Sequence, residues 1–527
     1  MEPGTVFVAG ATGYVGGRLV PLLLARGYTV HAGVRSPRKL AARPWGAHPN
    51  LRALPADVTD QDSLAVAMRG CQTAFYLVHS MGAGGDFAQA DREAARNMAQ
   101  AAARAGVSRI IYLSGLGETE GGEEQGLSEH LRSRSEVGRI LAEGPVPVTV
   151  LRAAVILGSG SASFEIIRNL VERLPLMITP RWVRTRCQPI AITNVLGYLL
   201  GCLENPATAG LTLDIGGPDV ITYGELFRIY ARAAGIRAPL IVPVPLLSPT
   251  LSAFWVNLIT PVPAHIVRPL IEGLKNEVVC RDRRILDLVP QELLSCRDAI
   301  AQALSEARQG PVPSCCHDAG NACAPDFLAA RVGRETCPAE WSKAGDAPYA
   351  GGTLFTADYF ATLDAPRERV WDAVVRIGGE RGWYAGDLLW RIRGLADKLV
   401  GGPGHMRGRR DPERIGPGDA LDFWRVLDVQ TGVRLLLLAE MKVPGAATLE
   451  LRLRSVPLPV PLDDRGGTRL ELYTSFRPRG LWGLLYWWSM YPAHGLLFPA
   501  MLRNMARAAH APLLEGPAKI PPRPGVL

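Results

Sequence analysis

Residues 5–17 read Thr5-Val6-Phe7-Val8-Ala9-Gly10-Ala11-Thr12-Gly13-Tyr14-Val15-Gly16-Gly17. A β-rich run, Thr5–Ala9, meets a G-x-x-G-x-x-G pattern. Tyr14–Arg26 then has the spacing of an amphipathic helix and stops at Gly27, a helix-ending glycine. Each glycine has a job in such a strand–turn–helix. Gly10 permits the tight turn, Gly13 lets the backbone approach a pyrophosphate, and Gly16 or Gly17 allows close packing of helix on sheet. Amides at the helix N-terminus then face the phosphates. Gly10, Thr12, Gly13, Tyr14, Val15 and Gly16 are therefore candidate dinucleotide contacts.

Working outward, strand-like runs alternate with helical ones. Thr29–Val34, Leu51–Ala56, Thr73–Val78, Ser108–Leu113 and Val148–Ile156 are extended. Asp60–Met68, capped by Thr59, and Phe87–Ala105, ending at Gly106, are helical. This alternation predicts an α/β fold with a doubly wound, Rossmann-type parallel sheet. Ligands of such sheets sit at strand ends. After the second strand comes Val34-Arg35-Ser36, with Arg38 and Lys39 behind. No acid stands there to take a ribose 2′-hydroxyl, and Arg35 suits a 2′-phosphate, so NADP(H) is the expected cofactor. Asp57 and Val58 follow the third strand, where Asp57 can accept from an adenine amino group. Val78 and His79 follow the fourth and line the ribose path.

The 527 residues exceed what one core supports, so two or more domains are expected. With 47% hydrophobic and 20% charged residues, a mainly disordered chain is excluded. The net charge is +8, and residues 351–527 hold 24 basic against 18 acidic residues. That excess is thin and spread out, which speaks against a nucleic-acid partner. The N-terminus lacks a basic, apolar leader, and Cys71, Cys187, Cys202, Cys280 and Cys296 are scattered, so a reducing cytoplasm is expected. Residues 161–305 form the substrate part of a first domain, 1–305, whose cofactor part is 1–160. They include helices Ala162–Leu174 and Tyr223–Ala234, then the uncharged, proline-broken run Pro239–Val267, read as a lining for a small apolar substrate or a shallow membrane contact. Residues 306–350 read as a linker. Its Cys315, Cys316, His317, Cys323 and Cys337 lack paired C-x-x-C knuckles, so no metal is expected.

Residues 351–515 form the second domain. Expected strands are Thr353–Ala361, Asp422–Val429, Val433–Lys442, Thr448–Arg454 and Thr468–Phe476. Expected helices are Pro366–Val375, Trp383–Val400 and Gly480–Ala509. Seven of the eleven Trp (Trp371, Trp383, Trp390, Trp424, Trp482, Trp487, Trp488) lie here, as befits a large apolar core or pocket. Between Arg479 and Arg503 stand 23 uncharged residues. Pro492, His494 and Pro499 favour a buried terminal helix over a membrane crossing, with peripheral attachment as the alternative. The basic stretch Gly401–Arg414 reads as a solvated loop or an anionic-lipid contact.

Several phrases carry a family resemblance. Gly10–Gly17, Asp57, Tyr112-Leu113-Ser114-Gly115-Leu116, Leu151–Gly158 and Leu213–Pro218 resemble atypical short-chain dehydrogenase/reductases of the NmrA-like, NAD(P)H-binding type, over about residues 5–305. Gly382-Trp383-Tyr384, Leu389–Gly394 and Asp422–Val426 resemble an uncharacterised domain often fused behind such reductases, similar to helix-grip (START-like) folds. Classical members of the family carry Ser and then Tyr-x-x-x-Lys. The resemblance places Ser114 at the serine position, His130 where the Tyr would stand and Arg134 where the Lys would stand. His can transfer a proton near neutral pH, whereas Arg supplies charge but cannot titrate. The implied function is an NADPH-dependent reductase of an apolar carbonyl or quinone-like substrate. The alternatives are a redox sensor or scaffold that binds NADP(H) without turnover, and a nucleotide-sugar or isoprenoid epimerase. Oligomeric state is left open.

Overall fold

Successive residues of the first strand diverge. Val6 and Val8 are buried in one apolar cluster and Phe7 and Ala9 in another, as a two-residue period dictates when a sheet is covered on both faces. The computed structural model describes residues 3–35, 37–41, 43–78, 87–117, 128–179, 181–243, 256, 264–309, 355–404, 408–456, 467–478 and 480–520. The chain divides into two compact units, Met1–Ala319 and Gly320–Leu527.

In the first unit the order is β1 (Thr5–Ala9), α1 (Gly16–Ala25), β2 (Thr29–Val34), α2 (Pro37–Ala41), β3 (Leu51–Pro55), α3 (Gln61–Ala67), β4 (Thr73–Tyr76), α4 (Phe87–Arg104), β5 (Arg109–Gly115), α5 (Glu129–Ala142) and β6 (Val148–Ala153). Then come α6 (Ala162–Arg173), α7 (Ile192–Glu204), β7 (Thr212–Ile215), α8 (Tyr223–Ala234) and α9 (Cys296–Gln309). The seven strands are parallel in the order β7-β6-β5-β4-β1-β2-β3. Strand order reverses between β1 and β4, and the crevice at their C-terminal ends is where open α/β sheets bind ligands. Leu19, Leu23, Val195 and Leu199 of α1 and α7 cover one face; Leu64, Met98, Val137 and Leu141 of α3, α4 and α5 cover the other. A third cluster joins α6, α8 and α9.

Two local expectations are corrected. Asp60, not Thr59, caps α3: its carboxylate accepts from the amides of Asp62 and Ser63, while the Thr59 hydroxyl donates to Asp57. Helix α1 begins at Gly16 rather than Tyr14, because residues 10–15 form the turn itself. Strand β7 was not expected; it pairs with β6 some 60 residues upstream. Most of Pro239–Val267, and all of the cysteine cluster, lie outside the described residues.

The second unit is an antiparallel sheet carrying helices. It contains β8 (Tyr359–Leu363), α10 (Arg367–Val375), α11 (Asp387–Leu399), β9 (Trp424–Gln430), β10 (Arg434–Ala439), β11 (Gly445–Val456), β12 (Gly467–Pro478), α12 (Gly480–Ala508) and β13 (Leu513–Lys519). The order is β9-β10-β11-β12-β8-β13, with two-residue strands Ala420–Leu421 on β9 and Phe355–Thr356 on β12. Leu449, Leu451, Leu453, Leu470 and Leu472 face the core formed with α10 and α12. Their neighbours face the other way as a charge ladder, in which Arg452 pairs with Glu450, and Arg454 and Arg469 meet Glu471 at 3.1 and 3.2 Å. Four of its tryptophans, Trp371, Trp383, Trp424 and Trp487, are core, with Trp383 stacked on Phe423 and Trp487 on Phe355 and Phe476, whereas Trp482 and Trp488 are exposed.

Helix α11 starts at Asp387, not Trp383, since Tyr384 (φ 63°) and Gly386 (φ 69°) make a left-handed turn first. Strand β13 was missed. In Gly401–Arg414 the solvated-loop reading holds for exposed Arg414 but not for Arg409 and Arg410, and Arg407 lies outside the described residues. Arg409 turns inward to the carbonyls of Ile377 and Asp411, and Arg410 pairs with buried Asp419 at 3.0 Å. Among the described residues no helix is long and apolar enough to cross a membrane.

Candidate functional site

The glycine turn lies at the switch point between β1 and β4. Gly10 has φ +88°, and its carbonyl accepts from the Gly13 amide at 2.9 Å. A side-chain carbon on Gly10 would lie 2.9 Å from the Leu77 carbonyl oxygen and 3.4 Å from Val78 Cγ2, so the turn presses against the end of β4. On Gly16 it would lie 2.2 Å from the Gly10 oxygen, which only hydrogen tolerates. On Gly13 it would meet the Gly10 oxygen alone among described atoms within 4 Å, at 3.3 Å. Gly13 is thus open on its outer side, as close approach by a diphosphate requires. No side chain caps α1 at Val15, and its first turn holds no acid. An uncapped, acid-free helix start is suited to phosphate. These features fit a dinucleotide.

Tyr14 anchors the turn from the side. A carbon added to Gly158 would lie 2.4 Å from the Tyr14 hydroxyl. Arg18 stacks 5.2 Å from the Tyr14 ring, donates to the Ser159 carbonyl at 2.8 Å and pairs with Glu306 of α9 at 3.2 Å. Arg18, Ser159 and Glu306 escaped the sequence reading because they meet only through the fold.

The strand ends lie where expected. Arg35 is exposed at the end of β2. The side chains of Arg38 and Lys39 lie outside the described residues, as does His79. Asp57 is half-buried, and its Oδ1 accepts from the Thr59 amide and hydroxyl at 2.9 and 2.8 Å. The Val58 carbonyl accepts from Asn97 of α4 at 3.0 Å. Val78 is half-buried beside the turn.

Of the three residues assigned by resemblance to catalysis, Ser114 and Arg134 meet at the β5–α5 contact. Ser114 is buried and donates to the Arg134 carbonyl at 3.2 Å, as does the Tyr112 hydroxyl. The Arg134 guanidinium returns through Nη1 to the Leu113 carbonyl at 3.0 Å, while its Nε is buried with no hydrogen-bond partner among described atoms. His130 is buried one turn earlier on α5. So Ser114 and Arg134 staple helix to strand through main-chain carbonyls. Tyr76 stands beside Tyr112, ring centroids 5.7 Å apart; burial, with Tyr112 and Asp91 nearby, pushes its phenol far up, which keeps it protonated. A further ion pair lies one strand on, where half-buried Arg152 of β6 meets buried Asp214 of β7 at 2.7 Å. Asp214 also accepts from the amides of Arg281 and Asp282.

Residues 10–169 match the family model described as NAD(P)H-binding. The N-terminal unit contains an NAD(P)H-binding domain. This domain is 35% identical over 132 residues to a 3β-hydroxysteroid dehydrogenase/Δ5→4-isomerase of Mycobacterium tuberculosis, covering 23% of this chain and 34% of that one. It is 34% identical over 140 residues to a dihydroflavonol 4-reductase of Gerbera hybrida, covering 24% and 37%. The chain thus spans about a third of the length of these curated relatives. Among solved structures, a Staphylococcus aureus nucleoside-diphosphate-sugar epimerase aligns at 17% identity with a TM-score of 0.46, over 56% of this chain and 99% of that one. An Escherichia coli NADPH-dependent quinone oxidoreductase aligns at 17% and 0.45, over 57% and 99%. Beyond the NAD(P)H-binding domain, residues 349–501 match a model described as a protein of unknown function, DUF2867.

Proposed function

We propose that the protein is an NADP(H)-dependent reductase of the short-chain dehydrogenase/reductase type, acting on an apolar carbonyl or quinone-like substrate. The observation that carries this is the pairing of an uncapped glycine turn at the switch point with Arg35, not an acid, at the end of β2. Gly10, Gly13 and Gly16 would hold the diphosphate against the amides of α1, with Thr12, Tyr14 and Val15 around it. Arg35 would take the 2′-phosphate, Asp57 and Val58 the adenine, and Val78 the ribose path. When bound, the nicotinamide supplies the hydride. Ser114 and His130 would orient the substrate oxygen and deliver its proton, with Arg134 lending positive charge. Curated relatives named as a dihydroflavonol reductase and a steroid dehydrogenase support a ring-bearing, apolar substrate class. A helix-grip reading of the second unit, with an apolar ligand between α12 and the sheet, belongs to the same proposal.

A specific observation favours a second reading, a sensor or scaffold that binds NADP(H) without turnover. Ser114 and Arg134 are engaged with main-chain carbonyls. Purified protein mixed with NADPH and a panel of quinones and aldehydes separates the two readings. Loss of reduced-nicotinamide absorbance that falls in His130→Ala supports the reductase. Cofactor binding with no oxidation by any acceptor selects the sensor.

A further inference from the structure

Helix α11 is built inside out. Leu388 (70% exposed), Ile392 (56%), Leu395 (53%) and Leu399 (55%) stand in solvent, whereas Asp397 and Lys398 are buried. Asp397 accepts from the amides of Lys442 and Gly404 at 2.6 and 2.9 Å, so the polar side of the helix is fastened to the domain. At 100° per residue the four exposed residues fall in one sector, with Trp390, Gly394 and Asp397 opposite. Arg391 lies at one margin of that sector, exposed Leu389 (51%) widens it on the other, and Arg393 lies nearer the inner side.

Helix α12 continues the surface. The Arg393 guanidinium meets the Tyr486 hydroxyl at 3.4 Å and lies over its ring. Eleven residues on, Leu497 packs against Gly386, where an added carbon would lie 2.2 Å away. Two such ties set α11 and α12 side by side and antiparallel, both turning their inner faces to one core. On its own outward side α12 exposes Trp482 (75%), Leu485 (53%) and Leu496 (77%). From Gly480 to Leu502 α12 has no charged residue, and the outward sector of α11 has no acid. A soluble face would not carry so many water-exposed leucines.

We propose that this two-helix platform seats on the surface of an anionic lipid bilayer. The charge pattern selects that occupant. Apolar side chains with Arg391 at their margin, exposed Trp482 on the neighbouring helix and no acid among them match the acyl–headgroup boundary. A second copy of the same face would offer Arg391 no carboxylate from the outward sector of α11.

The test uses the full-length protein and sedimenting vesicles of phosphatidylcholine, with or without phosphatidylglycerol. Partition into the phosphatidylglycerol vesicles is expected, weakening with salt. The triple variant L388Q/I392Q/L395Q keeps helix-forming residues in solvent and should lower partition by about a hundredfold. Arg391→Glu, which alters no buried contact, should lower it by about tenfold. Thermal melting checks that both variants stay folded. Three results overturn the proposal: no partition into anionic vesicles, equal partition into neutral ones, or partition indifferent to both variants. So does a dimer, seen by sedimentation velocity, that the triple variant dissolves while vesicles bind nothing.

Discussion

The two units place their chemistry differently. In the first, a parallel sheet sends every strand end of interest to one edge, and the turn after β1 has its shape set by backbone clearance. Gly10, Arg35, Asp57 and Val78 thus follow neighbouring strands at one edge although they are scattered over some 70 residues. In the second, an antiparallel sheet buries one face under α10 and α12 and pairs charges on the other. No strand end is privileged, and its aromatic residues largely pack on one another. Topology thus locates a site in the first unit before any side chain is considered. In the second, only side-chain exposure marks a surface.

The largest effect that sharpens this contrast is on stability. Trp383 is fully buried, stacks on Phe423 and donates Nε1–H to Asp422 at 2.8 Å. Trp383→Ala should cost about 3–5 kcal/mol of the second unit's stability. Denaturant titration read by tryptophan fluorescence would show it, with NADPH affinity unchanged. A matching loss of NADPH affinity would break the separation between the units.

In the first unit, Gly16→Ala forces a carbon against the Gly10 carbonyl. It should cost about 1–3 kcal/mol and weaken NADPH by about tenfold or more. Unchanged affinity by calorimetry would mean that the turn does not hold the cofactor.

A smaller effect comes from pH. Burial against Trp487 and Phe498 pushes the His494 imidazole down to about 4. A lowered histidine pKa means that the unfolded chain takes the proton first. Stability is therefore full above pH about 6.5 and falls as pH drops toward 4. The second unit should lose on the order of 2 kcal/mol between pH 7 and 4.5 from this residue. His494→Leu should flatten that slope in melts across the range.

The strands of the first sheet's core were legible because Val, Phe and Ala runs bounded by glycines carry both period and punctuation. β1 and β2 begin and end where the sequence places them. β7 was not, since four residues after a short turn have no period of their own and their partner is remote. β13 is an exposed edge strand containing Gly516 and Pro517, so neither alternation nor β-propensity marks it. Of the site, the glycines and strand ends could be read, because backbone clearance and charge are written in residue type. The staple between Ser114, Tyr112 and Arg134 could not, because it uses main-chain carbonyls. Nor could the inward turn of Arg409 and Arg410, whose partners come from the fold.

The most direct test is a pair of dissociation constants, for NADPH and NADH, on the purified protein and on Arg35→Ala. NADPH should bind more tightly, and the variant should lose about 10- to 100-fold of NADPH affinity while NADH is little affected. Tighter NADH binding by the unaltered protein, or an NADPH affinity indifferent to Arg35, would contradict the assignment of that strand end to the 2′-phosphate.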